Sequence, residues 1–115
     1  ILDNQNFLDF SKYPTKKKDK DQISFGGYLN TKDVYLYHRT FQKHSTILGA
    51  EATLRSDYIF SEELAFKHLL PRLPALSEVL WSNQDSLNWY SFKSRFNINL
   101  KGKLDKRNYD YSPLF

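Results

Sequence analysis

His38, Arg39 and His44 are the residues whose types and spacing come nearest to catalysis. An imidazole titrates near neutral pH, so two of them can serve as base and acid on a phosphodiester, with Arg39 or a lysine steadying the phosphorane. That would be a small metal-independent nuclease or toxin domain. Little else in the spacing selects it. The triplets His38-Arg39-Thr40 and His44-Ser45-Thr46 stand too close together to come from separate lobes and flank one phosphate. A lone histidine in a half-buried strand is more often structural. His38 and His44 are therefore candidate catalytic residues of an alternative reading, and the leading reading is non-enzymatic.

Metal and cofactor chemistry finds less support. The sequence has no cysteine, which removes disulfides, thiolate zinc sites, iron–sulfur clusters and a cysteine nucleophile. Glu63 and Lys67 stand four apart, as a helix-surface ion pair would. There is no glycine-rich phosphate loop and no nucleophile elbow, so neither a metal nor a cofactor is expected. No Asn-x-Ser/Thr sequon and no basic-then-apolar leader is present, and an intracellular setting is favoured.

Binding chemistry is better represented. Aromatic residues are abundant, with nine Phe, eight Tyr and two Trp. Read as a strand, residues 34–41 put Val34, Leu36 and His38 on one face and Tyr35, Tyr37, Arg39 and Phe41 on the other. An aromatic face of that kind stacks unpaired bases, at about 1–3 kcal/mol per base. Lys16, Lys17 and Lys18 form a basic cluster suited to phosphates, and Lys93, Arg95 and Lys101 would share the wet face of a later strand. The net charge of +4 is modest, but it is unevenly spread: +3 over residues 1–50, −3 over 51–85 and +4 over 86–115. The leading expectation is a module that binds RNA or single-stranded DNA within a larger assembly. The main alternative is an interaction domain that docks a protein partner on its aromatic face.

These residues need elements to hold them. Residues 3–10 read as a short helix, and 11–22 as a flexible basic loop. Residues 23–29 and 34–41 read as a β-hairpin around a turn at Asn30–Asp33, with Gly26 and Gly27 marking a bulge. The alternation of Leu48, Ala50, Ala52 and Leu54 suggests a third strand over 46–56, though Ala-Glu-Ala-Thr-Leu-Arg also suits a helix. Ser61 then caps a helix that Pro71 must end, and Pro74 suits the first turn of a second helix. Tyr90, Phe92, Phe96, Ile98 and Leu100 occupy even positions between polar odd ones, the pattern of a long strand that Gly102 ends. A basic, tyrosine-rich tail follows over 102–115. The expected class is α+β, an antiparallel sheet (hairpin or three-strand meander plus a long C-terminal strand) with two short helices on one face.

The chain has 115 residues, 40% hydrophobic and 26% charged, which suits a single globular domain over 1–115. Lys67, Pro71, Arg72 and Pro74 interrupt its most apolar region, so no membrane partner is expected. The absence of any methionine reads as a processed product, a domain cut from a longer chain, or an ordered core with its ends missing.

Overall fold

A computed structural model describes residues 29–36 and 49–114, and their regular structure is helical. The expected antiparallel sheet is not found among the described residues, where Thr53 alone makes a β-bridge. Helix 3–10, loop 11–22 and the glycine bulge lie outside the described residues.

The first correction falls on the hairpin. Residues Thr31–Leu36 form helix α1, not a turn leading into a strand. The Asn30 side chain accepts a hydrogen bond from the Asp33 backbone N–H at 2.8 Å, and Asp33 Oδ2 accepts one from the Asn30 N–H at 3.2 Å. This is a reciprocal cap. The Asx chemistry that closes a turn also satisfies a helix start, and burial decides between them. Thr31, Val34 and Tyr35 fall on one helical face, and all three are buried.

Helix α2 runs Glu62–Leu69, with Ser61 Oγ accepting the Leu64 N–H at 3.2 Å. A cis Leu70–Pro71 peptide leads into helix α3, Arg72–Trp81. Pro74 lies in its first turn, where a missing N–H costs nothing. Arg72, Ala75, Leu76 and Val79 form its buried stripe. The carbonyls left open at the end of α2 are closed from two directions. Arg72 donates from Nε and Nη2 to His68 O at 2.8 and 2.6 Å and from Nη1 to Leu29 O at 3.2 Å. Ser112 donates its hydroxyl to Lys67 O and its N–H to Leu70 O.

The second correction falls on the long strand. Asn88 Oδ1 accepts the Ser91 N–H at 2.9 Å and starts helix α4, Trp89–Arg95. A π-turn, Phe96–Leu100, joins it to helix α5, Lys101–Lys106. Gly102 sits inside α5 and ends nothing. Trp89, Phe92, Phe96 and Leu104 are buried, whereas Tyr90 and Ile98 are 76% and 74% exposed. A strand would bury Tyr90 and Ile98 beside Phe92; the helix turns them away.

The core gathers Leu29, Val34 and Tyr35 with Ala75, Leu76 and Val79 and with Trp89 and Phe92. Tyr35 lies 5.6 Å from Trp89 and 5.1 Å from Phe92, centroid to centroid. Residues 49–60 run without helix beside this core, and Ala52 and Leu54 pack against it. They form no meander with the residues described. The chain after α5 folds back: Tyr109 packs on Phe66 at 4.5 Å, Tyr111 on Phe96 at 6.1 Å, and Leu114 reaches the core.

Candidate functional site

The extended run before α2 has two faces. Ala52 and Leu54 pack against the core, Thr53 between them is half-buried, and Glu51 and Arg55 on either side are exposed. Glu51, Arg55, Ser56 and Asp57 are exposed. The Ile59 N–H donates to Ser56 O at 3.1 Å, closing a turn that carries Asp57 and Tyr58 and then delivers the chain to the Ser61 cap. The result is a non-helical segment, a short polar turn and a helix, with the Asp57 carboxylate in the turn and the Arg55 guanidinium just before it. Groups of these kinds hydrogen-bond neutral hydroxyls and do not by themselves assemble a metal site. No set of three or more His, Asp or Glu groups among the described residues is placed to hold a metal ion.

A second polar cluster joins three helices. Tyr35 donates its hydroxyl proton to Glu78 Oε1 at 2.8 Å and accepts the Asn88 N–H at 2.9 Å. Arg95 grips the same carboxylate with both ends of its fork, at 2.6 and 2.7 Å. Burial, then the hydrogen bond to Glu78, pushes the Tyr35 phenol up to about 12. The Arg95 guanidinium holds the Glu78 carboxyl below the usual carboxylate range, and Glu78 in turn raises Arg95. These groups engage one another across α1, α3 and α4. The cluster is a joint.

A third feature is an open cleft of about 530 Å³ lined by Asp105, Asn108, Tyr109, Asp110 and Tyr111. Asn108 takes a left-handed conformation, φ 54°, at the end of α5. The Tyr111 hydroxyl donates to Asp105 at 2.8 Å, which raises the Tyr111 phenol.

The structure does not assemble the residues singled out from sequence. Tyr35 is fully buried among Trp89 and Phe92 and presents no stacking face. Lys93, Arg95 and Lys101 are exposed, but on a helix Lys93 and Arg95 point about 200° apart. Arg95 is also committed to Glu78. Tyr37, Arg39, Phe41, Lys16, Lys17, Lys18, His38 and His44 lie outside the described residues. Sequence reasoning passed over Arg55 and Asp57. Their signal was a polar run, Arg55-Ser56-Asp57, directly after the apolar alternation and before a helix cap.

A non-helical segment that packs on helices, followed by a polar turn and a helix, has the order of the strand-loop-helix units that build α/β barrels. Residues 1–84 match the glycosyl hydrolase family 20 catalytic domain, and the chain belongs to that family. Its catalytic domain is of the TIM-barrel type, which overturns both the antiparallel-sheet architecture and the nucleic-acid-binding reading. The docking-domain and nuclease alternatives fall with it. The chain is 28% identical over 96 residues to "Beta-hexosaminidase" of Porphyromonas gingivalis (strain ATCC BAA-308 / W83). That alignment covers 79% of this chain and 12% of the relative, so the chain spans about an eighth of that protein.

Proposed function

We propose that this chain is a strand-and-helix section of a glycoside hydrolase barrel acting on β-hexosaminides, with Glu51, Arg55 and Asp57 on its sugar-facing side. The observation that carries the reading is the segment 51–57, in which Ala52 and Leu54 pack on the core while Glu51, Arg55 and Asp57 stay exposed. In a barrel, alternate strand residues face the helix layer and the barrel interior, and the loops after the strands build the active site. Ala52 and Leu54 meet the helices here. Thr53 then belongs to the interior, and Arg55 and Asp57 to the loop end where substrate sits. A guanidinium and a carboxylate there would orient sugar hydroxyls, and orientation is a large part of glycosidase catalysis.

The test is made in the polypeptide that carries this chain together with the rest of the barrel. With a chromogenic β-hexosaminide, Arg55→Ala and Asp57→Asn should each lower kcat/KM by roughly 10–100-fold, the equivalent of one charge-assisted hydrogen bond to substrate. Melting of the Asp57→Asn barrel should stay unchanged. A wild-type barrel that leaves hexosaminides intact, or variants with full kcat/KM, would remove the proposal.

A further inference from the structure

Where the chain turns back after α5 it builds a cleft that the Asp57 turn does not use. Asp105, Asn108, Tyr109, Asp110 and Tyr111 line about 530 Å³ of it, a volume in the range of small-molecule sites. Backbone hydrogen bonds fix its shape. The Asn108 N–H donates to Asp105 O at 3.1 Å and the Tyr109 N–H to Leu104 O at 3.0 Å, around the left-handed Asn108. Phe66 backs the Tyr109 ring, Phe96 backs the Tyr111 ring, and Asp105 pins the Tyr111 hydroxyl. Among the described residues, the Asn108 amide and the Asp110 carboxylate have no side-chain partner.

Charge and chemistry decide the guest. Tyrosine rings offer an apolar face, carboxylates accept hydroxyl protons, and an amide both accepts and donates. A pyranose answers that pattern with a C–H face and a rim of hydroxyls. An inorganic anion would meet the two carboxylates of the lining. An organic cation would meet the field of residues 101–111, where Lys101, Lys103, Lys106 and Arg107 outnumber Asp105 and Asp110. A neutral, hydroxyl-rich guest avoids both penalties. The cleft also stands apart from the proposed sugar-facing turn. That turn leads into the N-terminus of α2, whereas Tyr109 and Ser112 meet Phe66 and the carbonyls at the other end of the same helix. The lining residues lie beyond residues 1–84, the region matched to the family. We propose that this cleft is a second saccharide site, which holds a neutral oligosaccharide without cleaving it. The inference rests on the residues of the cleft and not on the hexosaminide reading.

The probe is a thio-linked disaccharide of N-acetylglucosamine, which resists hydrolysis, titrated to about 20 mM to cover the millimolar binding that a few exposed contacts give. In the 115-residue chain, the amide NMR signals of residues 105–111 should shift and saturate. Asn108→Gly keeps the left-handed backbone while removing the amide, and Asp110→Ala removes the carboxylate. Together they should weaken binding by roughly tenfold or more, with melting unchanged. Saturation-transfer NMR on the probe repeats the comparison in the polypeptide with the rest of the barrel, where the double substitution should remove part of the signal. There the same pair should leave kcat/KM for a small chromogenic β-hexosaminide untouched. Signals of 105–111 that stay still, or that shift equally in the double variant, would overturn the proposal. So would a response to trilysine or calcium chloride in place of the saccharide, which would assign the cleft to cations. A fall in kcat/KM for the small substrate would place the cleft in the hydrolytic site and overturn its separate role. Binding here by a barrel that hydrolyses nothing would sink the hexosaminide reading and leave this one standing.

Discussion

Arg72 is fully buried, and its guanidinium closes backbone carbonyls at two places distant in sequence, Leu29 O and His68 O. The planar fork is what allows this, and an ammonium cannot reproduce it. Arg72→Lys should therefore cost about 2–3 kcal/mol in urea unfolding, with an unchanged m-value. The Tyr35–Glu78–Arg95 joint has a pH signature at both ends. Glu78 holds its charge more firmly in the folded chain than in the unfolded one, so its contribution is present above the ordinary carboxyl value of about 4.3 and is lost as pH falls through the lower folded value. Tyr35 behaves in the opposite sense. Its proton is retained up to about 12 when folded, so stability is full below the ordinary phenol value and declines as pH rises towards 12. Tyr35→Phe should lower stability by about 1–2 kcal/mol at neutral pH and flatten the alkaline limb. Glu78→Gln should flatten the acid limb. Either limb left unaltered, measured by chemical denaturation across pH, would mean that the joint does not set the profile.

At the level of elements, α2 and α3 were legible because local signals agreed: a serine cap, acidic residues in the first turn and prolines where prolines are tolerated. The segment 90–101 was not legible, for a physical reason. Phe92, Phe96 and Leu100 are spaced by four, which satisfies a period of two and a helix face alike. Only Trp89, at an odd position three before Phe92, breaks the tie towards a helix. The turn at Asn30–Asp33 failed in the same way, since one side-chain chemistry serves turns and caps. A pair of substitutions separates the two readings of 90–101. Phe92→Ala should cost about 3–5 kcal/mol, because Phe92 touches Tyr35, Trp89 and Phe96. Tyr90→Ala should stay within about 0.5 kcal/mol, because its side chain lies in water. Comparable losses at both positions, read from thermal melts, would restore the strand.

For the whole molecule, the role proposed for Arg55 and Asp57 lay out of reach of the sequence because it depends on where a barrel would set them. The basic character of residues 86–115 likewise resolves into exposed positions on α4 and α5, with Arg95 spent on Glu78. What the described residues do form is one shared core. Trp89 and Phe92 lie beyond the region matched to the family, yet they pack on Tyr35 within it, and Ser112 closes carbonyls at the end of α2. No division of labour is left between a family-like part and an appended one. The 115-residue chain should accordingly unfold in a single transition, with far-ultraviolet circular dichroism and the fluorescence of buried Trp89, isolated in a Trp81→Phe background, coincident across denaturant. It should also leave hexosaminides intact on its own, because a barrel of this type takes about 250 residues to close. Two separated transitions, with Trp89 released first, would make α4 and α5 an independent arm and would confine the folded core to α1–α3.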